Sequence, residues 1–236
     1  MITLTAEITV KGENATPFVL GSSRLGHANF GEIVDTVEVI NKRVMLSLDC
    51  ETRDRSDIEK PSFGVISNGG SLSFNDGYSR FLILINSGFL SGGEEIKIFL
   101  ENTVTKQRRQ VGVYYADDWD FDNDSKSVSV KIRDDLEDWQ EIPCPALNYD
   151  IENPRDSSMK EIYNFLHRQT PEKYRMTPFK ELETETKKII EGTTVGIPFI
   201  KASNLWSQWT KFCENCATQI YKNEEGETVC KYMGGY

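Results

Sequence analysis

A chain of 236 residues is long enough for one large or two small domains that fold without disulfide or metal staples. With 38% hydrophobic and 27% charged residues, the composition excludes a fibrous or disordered chain. A formal net charge of -10 excludes nucleic-acid binding as the main role, because phosphate contacts need clustered Lys and Arg.

The opening residues alternate polar and apolar instead of running from a basic segment into an apolar one, so no signal peptide is expected. The longest apolar run, residues 81–85, is far short of the roughly 20 residues of a membrane helix, so no span is expected either. Cys50, Cys144, Cys213, Cys216 and Cys230 form an odd, scattered set of five, which predicts free thiols in a reducing compartment.

In chain order, Ile2, Leu4, Ala6, Ile8 and Val10 alternate with Thr3, Thr5, Glu7 and Thr9, the period of a half-buried strand. Further strands are predicted at Val37–Ile40, Val44–Leu48, Ile96–Leu100, Val111–Tyr115 and Val128–Ile132. Chain reversals are expected at Asn68-Gly69-Gly70, Gly92-Gly93 and Asp122-Asn123-Asp124, and closure into a barrel or sandwich follows. Asp76 can cap a short helix through Tyr78, Phe81, Leu82 and Ile85 ended by Gly88, although a buried strand fits nearly as well.

After Pro143, Pro145 and Pro154 the periodicity changes, which places a boundary near residue 150. Ser158-x-x-Glu161 is a capping-box pattern, followed by Met159, Ile162, Phe165 and Leu166 on one helical face. Thr177-Pro178 is expected to open a second helix carrying Phe179, Leu182, Ile189 and Ile190 and stopping at Gly192. From Ser203, the residues Leu205, Trp209, Phe212, Cys213, Cys216 and Ile220 make an apolar helical stripe; Asn223–Gly226 then turns into a strand ending near Tyr232.

Few residue groups invite chemistry. The two histidines, His27 and His167, sit in no nucleophile or metal motif, and there is no G-x-S-x-G elbow. Asp117, Asp118, Asp120, Asp122 and Asp124 suggest a calcium loop, but with Asp118 first, Asn123 takes the place of the turn glycine and Ser129 that of the bidentate glutamate. The competing reading is a strand with its acids outward and Trp119 and Phe121 toward a core. Cys213-x-x-Cys216 with Cys230 is three quarters of a zinc ribbon, but Met233 stands where the fourth thiolate would be; packing along the Leu205–Trp209 stripe explains more of the residues. Gly12 and Gly21–Gly26 lack the lysine and strand-to-helix setting of a phosphate loop.

The run Pro61–Asp76, the short apolar element after it, Gly92-Gly93 and the strand Glu95–Leu100 resemble the hub proteins at the tip of long-tailed bacteriophages. Val111–Trp119, the polar turn, Val128–Ile132 and Asp134-Asp135-Leu136 resemble the strand, hairpin and closing element of the first hub barrel. Trp209–Cys216 with Ile220–Gly226 is similar to the hub helix and hairpin insertion.

The resemblance implies an α+β chain: an antiparallel, tail-tube-like β-barrel over residues 1–150 and a smaller α/β insertion-type domain over 151–236. It implies a structural baseplate or tail-tip subunit of the virion, made in the host cytoplasm, that forms a homotrimeric ring used in genome ejection. Its expected partners are copies of itself, the tail tube or distal tail proteins, and spike, fibre or lytic parts. It implies no catalytic, cofactor-binding or metal residues and no cofactor. Such rings use two barrels per subunit, and Gly234-Gly235-Tyr236 follows directly on the insertion hairpin, so on this reading the sequence is a fragment or part of a split hub. The rival expectations are a hydrolase with perturbed carboxylates among Asp117–Asp124 and a small zinc-stabilised binding module using Cys213, Cys216 and Cys230.

Overall fold

The computed structural model describes residues 2–10, 36–40, 45–51, 63–76, 79–102, 104–145, 158–194 and 203–234. The chain is a mixture of α and β structure divided into two compact units, one of Met1–Cys50 and Gly69–Arg133, the other of Glu51–Asn68 and Asp134–Tyr236. The boundary expected near residue 150 falls outside the described residues, as do His27, Gly12 and Gly21–Gly26.

The first unit contains β1 (Ile2–Val10), β2 (Thr36–Ile40), β3 (Met45–Glu51), β5 (Gly69–Asn75), α1 (Arg80–Asn86), β6 (Glu95–Asn102), β7 (Arg108–Asp122) and β8 (Ser127–Arg133), while β4 (Gly64–Val65) belongs to the second. Its strands form one seven-stranded sheet in the order β2-β1-β6-β7-β8-β5-β3. Pairing is antiparallel for β1 with β2 and β6, β6 with β7, β7 with β8, and β8 with β5. No pairing joins β2 to β3 among the described residues.

The period-2 alternation read in β1 sets this sheet's inner face. Ala6 lies opposite Ile98 and Ile8 opposite Ile96, Leu72 opposite Val130 and Phe74 opposite Val128, and all eight are buried. Each of these side chains larger than Ala6 contributes about 1.5–3 kcal/mol relative to an exposed one. Helix α1 lies on the same core: Phe81 meets Phe74 edge-on at 4.6 Å and stacks on Trp119 at 6.3 Å. Its start is held by Asp76, whose carboxylate accepts from the amides of Arg80 at 2.9 Å and Leu82 at 3.1 Å.

The turn expected at Asn68-Gly69-Gly70 is corrected: Gly69 and Gly70 lie inside β5, opposite Arg133 and Ile132. A side chain at Gly69 would sit 3.0 Å from the Ile132 carbonyl oxygen, so this glycine serves a close backbone approach, not a reversal. The Gly92-Gly93 reversal has the positive φ angles a turn needs, 106° and 84°.

The second unit adds β9 (Pro143–Cys144), α2 (Met159–Gln169), α3 (Thr184–Gly192), β10 (Ser203–Asn204), α4 (Leu205–Cys216), β11 (Thr218–Lys222) and β12 (Thr228–Tyr232). The order β12-β11-β4 makes a small sheet in which β12 is antiparallel and β4 parallel to β11, and β9 pairs with β10. The apolar stripes of α2 and α4 meet in an aromatic core. Trp209 contacts Tyr163 at 5.2 Å, Phe212 at 5.4 Å and Trp139 at 6.3 Å between ring centroids.

Three helix readings change here. Ser158 precedes α2 but its side chain makes no capping hydrogen bond. The helix expected from Thr177 is a single 3-10 turn at Phe179–Glu181, then extended backbone at Leu182, then α3; the buried Leu182 side chain goes into the core at the break. The third helix is capped by Asn204, which accepts from the Ser207 amide at 2.8 Å, and stops at the left-handed Ala217, so Ile220 packs from a strand. None of the described helices is long and apolar enough to cross a membrane.

Candidate functional site

The aspartate run occupies the end of β7 and the turn into β8. Trp119 is buried while Asp117, Asp118 and Asp120 are exposed. Asp117 sits in a β-bulge between Ala116 and Asp118, 3.6 Å from Lys131 Nζ and 3.7 Å from Arg133 Nε. Asp122 accepts from the Ser125 hydroxyl at 2.7 Å and the Asp124 amide at 2.9 Å, bonds that hold its carboxyl below the usual range and shape the turn. Asp120 accepts from the Phe121 amide at 2.9 Å, so Asp117, Asp120 and Asp122 each have a local structural partner.

Below them is a carboxylate that sequence reasoning missed. Glu94 is buried and accepts from the amides of Ser91 at 2.8 Å and Gly92 at 3.1 Å and from the indole N–H of Trp119 at 2.8 Å. It ties the glycine turn to β7 from within. A glutamate following two glycines carries no period that would mark it as buried.

The thiols lie in the second unit. Cys213 and Cys216 are on the inner face of α4, Cys230 faces them from β12, and Cys144 is buried in β9. Burial pushes Cys144 up to about 11 and Cys216 and Cys230 up to about 12, and raises Cys213 as well. Thiols held protonated by an apolar surround are poor nucleophiles and poor metal ligands. Among the described residues no group of three or more His, Cys, Asp or Glu is placed to hold a metal ion. His167 stacks on Tyr163, and its Nε2 lies 3.0 Å from the Met176 carbonyl oxygen, a packing role in the same core.

The densest group of buried charges is on the 3-10 turn Asp135–Gln140 and the residue before it. Asp135 pairs with Lys222 at 2.7 Å, and the same ammonium donates to the carbonyls of Tyr174 at 3.1 Å and Gly226 at 3.2 Å. Asp134 accepts from Ser67 Oγ at 2.8 Å, the Asn68 amide at 2.6 Å and the Leu136 amide at 3.0 Å. Asp134 is raised to about 6, with burial as the largest cause, outweighing those three donors. Asp135 is raised too, its burial only partly offset by Lys222. Asp134-Asp135-Leu136 stands out in the sequence only as part of a resemblance; Lys222 and Ser67 have no sequence signal, since the partners are 87 and 67 residues away. This arrangement binds segments of the chain to each other.

Neither a protein-family model nor a curated protein matches the chain. Two solved tail proteins are similar to it. One, a tail protein from Neisseria meningitidis MC58, is 13% identical, covers 71% of this chain and 44% of its own, and superposes with a TM-score of 0.40. The other, a 43 kDa tail protein of prophage MuSo2 from Shewanella oneidensis, is 10% identical, covers 98% of this chain and 56% of its own, and gives 0.41. The chain thus spans about half the length of the solved proteins it matches.

Proposed function

We propose that the chain is the first part of a bacteriophage tail-tip or baseplate hub: a structural, non-catalytic subunit whose first unit closes into a barrel and joins two copies in a threefold ring. The ring continues the tail tube on one side and holds a spike, fibre or lytic part on the other, as a passage for genome ejection. The protein is made in the host cytoplasm and ends in the virion.

One observation carries this reading. β2 and β3 are the two outer strands of the seven-stranded sheet, yet they are neighbours in sequence, with Met45 only five residues after Ile40. Six strand spacings would put the edges of a flat sheet about 29 Å apart. Five peptide steps reach at most about 18 Å. A flat sheet is therefore excluded, and the curl that this short connection demands supports the reading of a barrel. The inward alternation of Ala6, Ile8, Ile96, Ile98, Val128 and Val130 fits such a curl, because it turns one apolar face to the inside. The second unit, helices followed by the β11–β12 hairpin, takes the place of the hub insertion.

The test is assembly. Native mass spectrometry of the chain over a concentration series, with electron microscopy of the products, is expected to give a trimer and ring-shaped particles. A strict monomer at the highest concentration overturns self-assembly by this chain, and one equivalent of tightly held zinc would favour the zinc-module reading instead.

A further inference from the structure

The first unit's sheet is unlike at its two ends. Helix α1 follows β5 and precedes β6, so it sits at the end where β6 begins, while the turn joining β6 to β7 sits where β6 finishes. The eight residues of β6 put these ends about 23 Å apart. Each end bears exposed apolar side chains and charge, and the charges are opposite in sign.

At the first end, α1 has five consecutive apolar residues, Phe81 to Ile85, where a helix with one wet face would carry polar ones. Phe81 and Leu84 go to the unit's own core, Leu82 and Ile85 are half-buried, and Ile83 is 63% exposed. The acidic turn from β7 to β8 lies beside the helix: Phe81 stacks on Trp119, and the amide of Asp76, which holds the start of α1, donates to the Lys126 carbonyl at 2.8 Å. Residues 117–126 carry five exposed aspartates against the single Lys126.

At the other end, the Lys106 amide donates to the Asn102 carbonyl and the Asn102 amide to that of Gln107, both at 2.8 Å, in a tight turn that holds Val104, 79% exposed. Leu100 is exposed on β6 just before it. Residues 102–109 carry Lys106, Arg108 and Arg109 and no acid, with Arg108 lying over the Phe99 ring and paired with Glu7. Ile83, Leu100 and Val104 are the exposed large hydrophobic residues among those described, and they are divided between these two ends.

We propose that the α1 face around Ile83, with its aspartate rim, receives the β6–β7 turn of a second copy of this chain, Val104 against the apolar face and Lys106, Arg108 and Arg109 against the aspartates.

The joint rests on the self-assembling ring proposed above and supplies its contact. Complementary charge selects the occupant. Helix end against helix end brings aspartates together, and turn against turn brings cations together; only opposite ends match both charge and apolar surface. Such a contact is heterologous, so each copy added leaves one patch of each kind open until the ring closes.

Native mass spectrometry of the full chain tests this with Ile83→Asp and Val104→Asp, each of which sets a carboxylate against the apolar contact and the aspartate rim. Either variant alone should raise the concentration for half-assembly about a hundredfold. An equimolar mixture at the highest concentration should give a dimer of one variant with the other and nothing larger, because one intact joint remains; that dimer also shows both variants to be folded. Independently, Lys106→Asp should weaken assembly about tenfold, and adding Asp118→Lys should restore part of the loss. Native-like assembly by either variant alone, or a mixture that stays monomeric, overturns the joint and leaves the ring reading standing. A native chain that stays monomeric at the highest concentration overturns both.

Discussion

The two units solve the same problem, a dry interior, with different materials. In the first, nearly all the buried side chains are aliphatic or aromatic groups from one face of a continuous sheet, and the buried carboxylates Asp76 and Glu94 are satisfied by nearby backbone. In the second, short elements distant in sequence converge on stacked aromatics, protonated thiols and an ion pair between Asp135 and Lys222. A sheet is specified by its own period, so its core can be simple. A unit assembled from 3-10 turns, short helices and a hairpin has many backbone ends to satisfy, and it uses buried charge to do so.

The comparison can be broken where each unit is most dependent. Trp209 is fully buried, touches Trp139, Tyr163 and Phe212, and donates from its indole to Thr170 Oγ1 at 3.0 Å. Trp209→Ala should cost about 4 kcal/mol. Exchange protection should fall at Ile162 and Phe212 but hold at Ile8 and Ile98; an equal fall in both units would show that the cores are not separate.

The buried ion pair comes next. Lys222→Met leaves Asp135 without its charge partner and should cost about 3 kcal/mol in denaturant unfolding, with much of it regained when Asp135→Leu is added. If the single variant is as stable as the native chain, buried charge is not what holds the second unit's segments.

A smaller effect belongs to the first unit. Gly92 has φ +106°, and a Cβ there would approach the Asp117 carbonyl oxygen to 2.9 Å. Gly92→Ala should cost about 2 kcal/mol, read as reduced protection in β6 and β7, and a neutral substitution would mean the glycine turn can re-form around a side chain.

The same contrast governs what could be read in advance. β1, β2, β3, β6 and β8 follow from alternation that needs only neighbouring residues, and α2 and α4 follow from stripes at helical spacing. β5 was hidden because its glycines signal a turn unless the Ile132 carbonyl across the ladder is known. The 3-10 turn at Asp135 and the break at Leu182 were hidden for a similar reason, since distant partners fix them: Lys222 and Ser67 in one case, the α2–α4 core in the other. Glu94, Asp134 and Lys222 were missed as buried groups because charged residues are expected at the surface until their partners are seen.

The claim on which the functional reading rests is the approach of β2 and β3. Backbone nuclear Overhauser contacts between Thr36–Ile40 and Met45–Glu51 measure it directly. Closure predicts cross-strand contacts and slow amide exchange in both strands; fast exchange along the facing edges of both, with no contact between them, would contradict it.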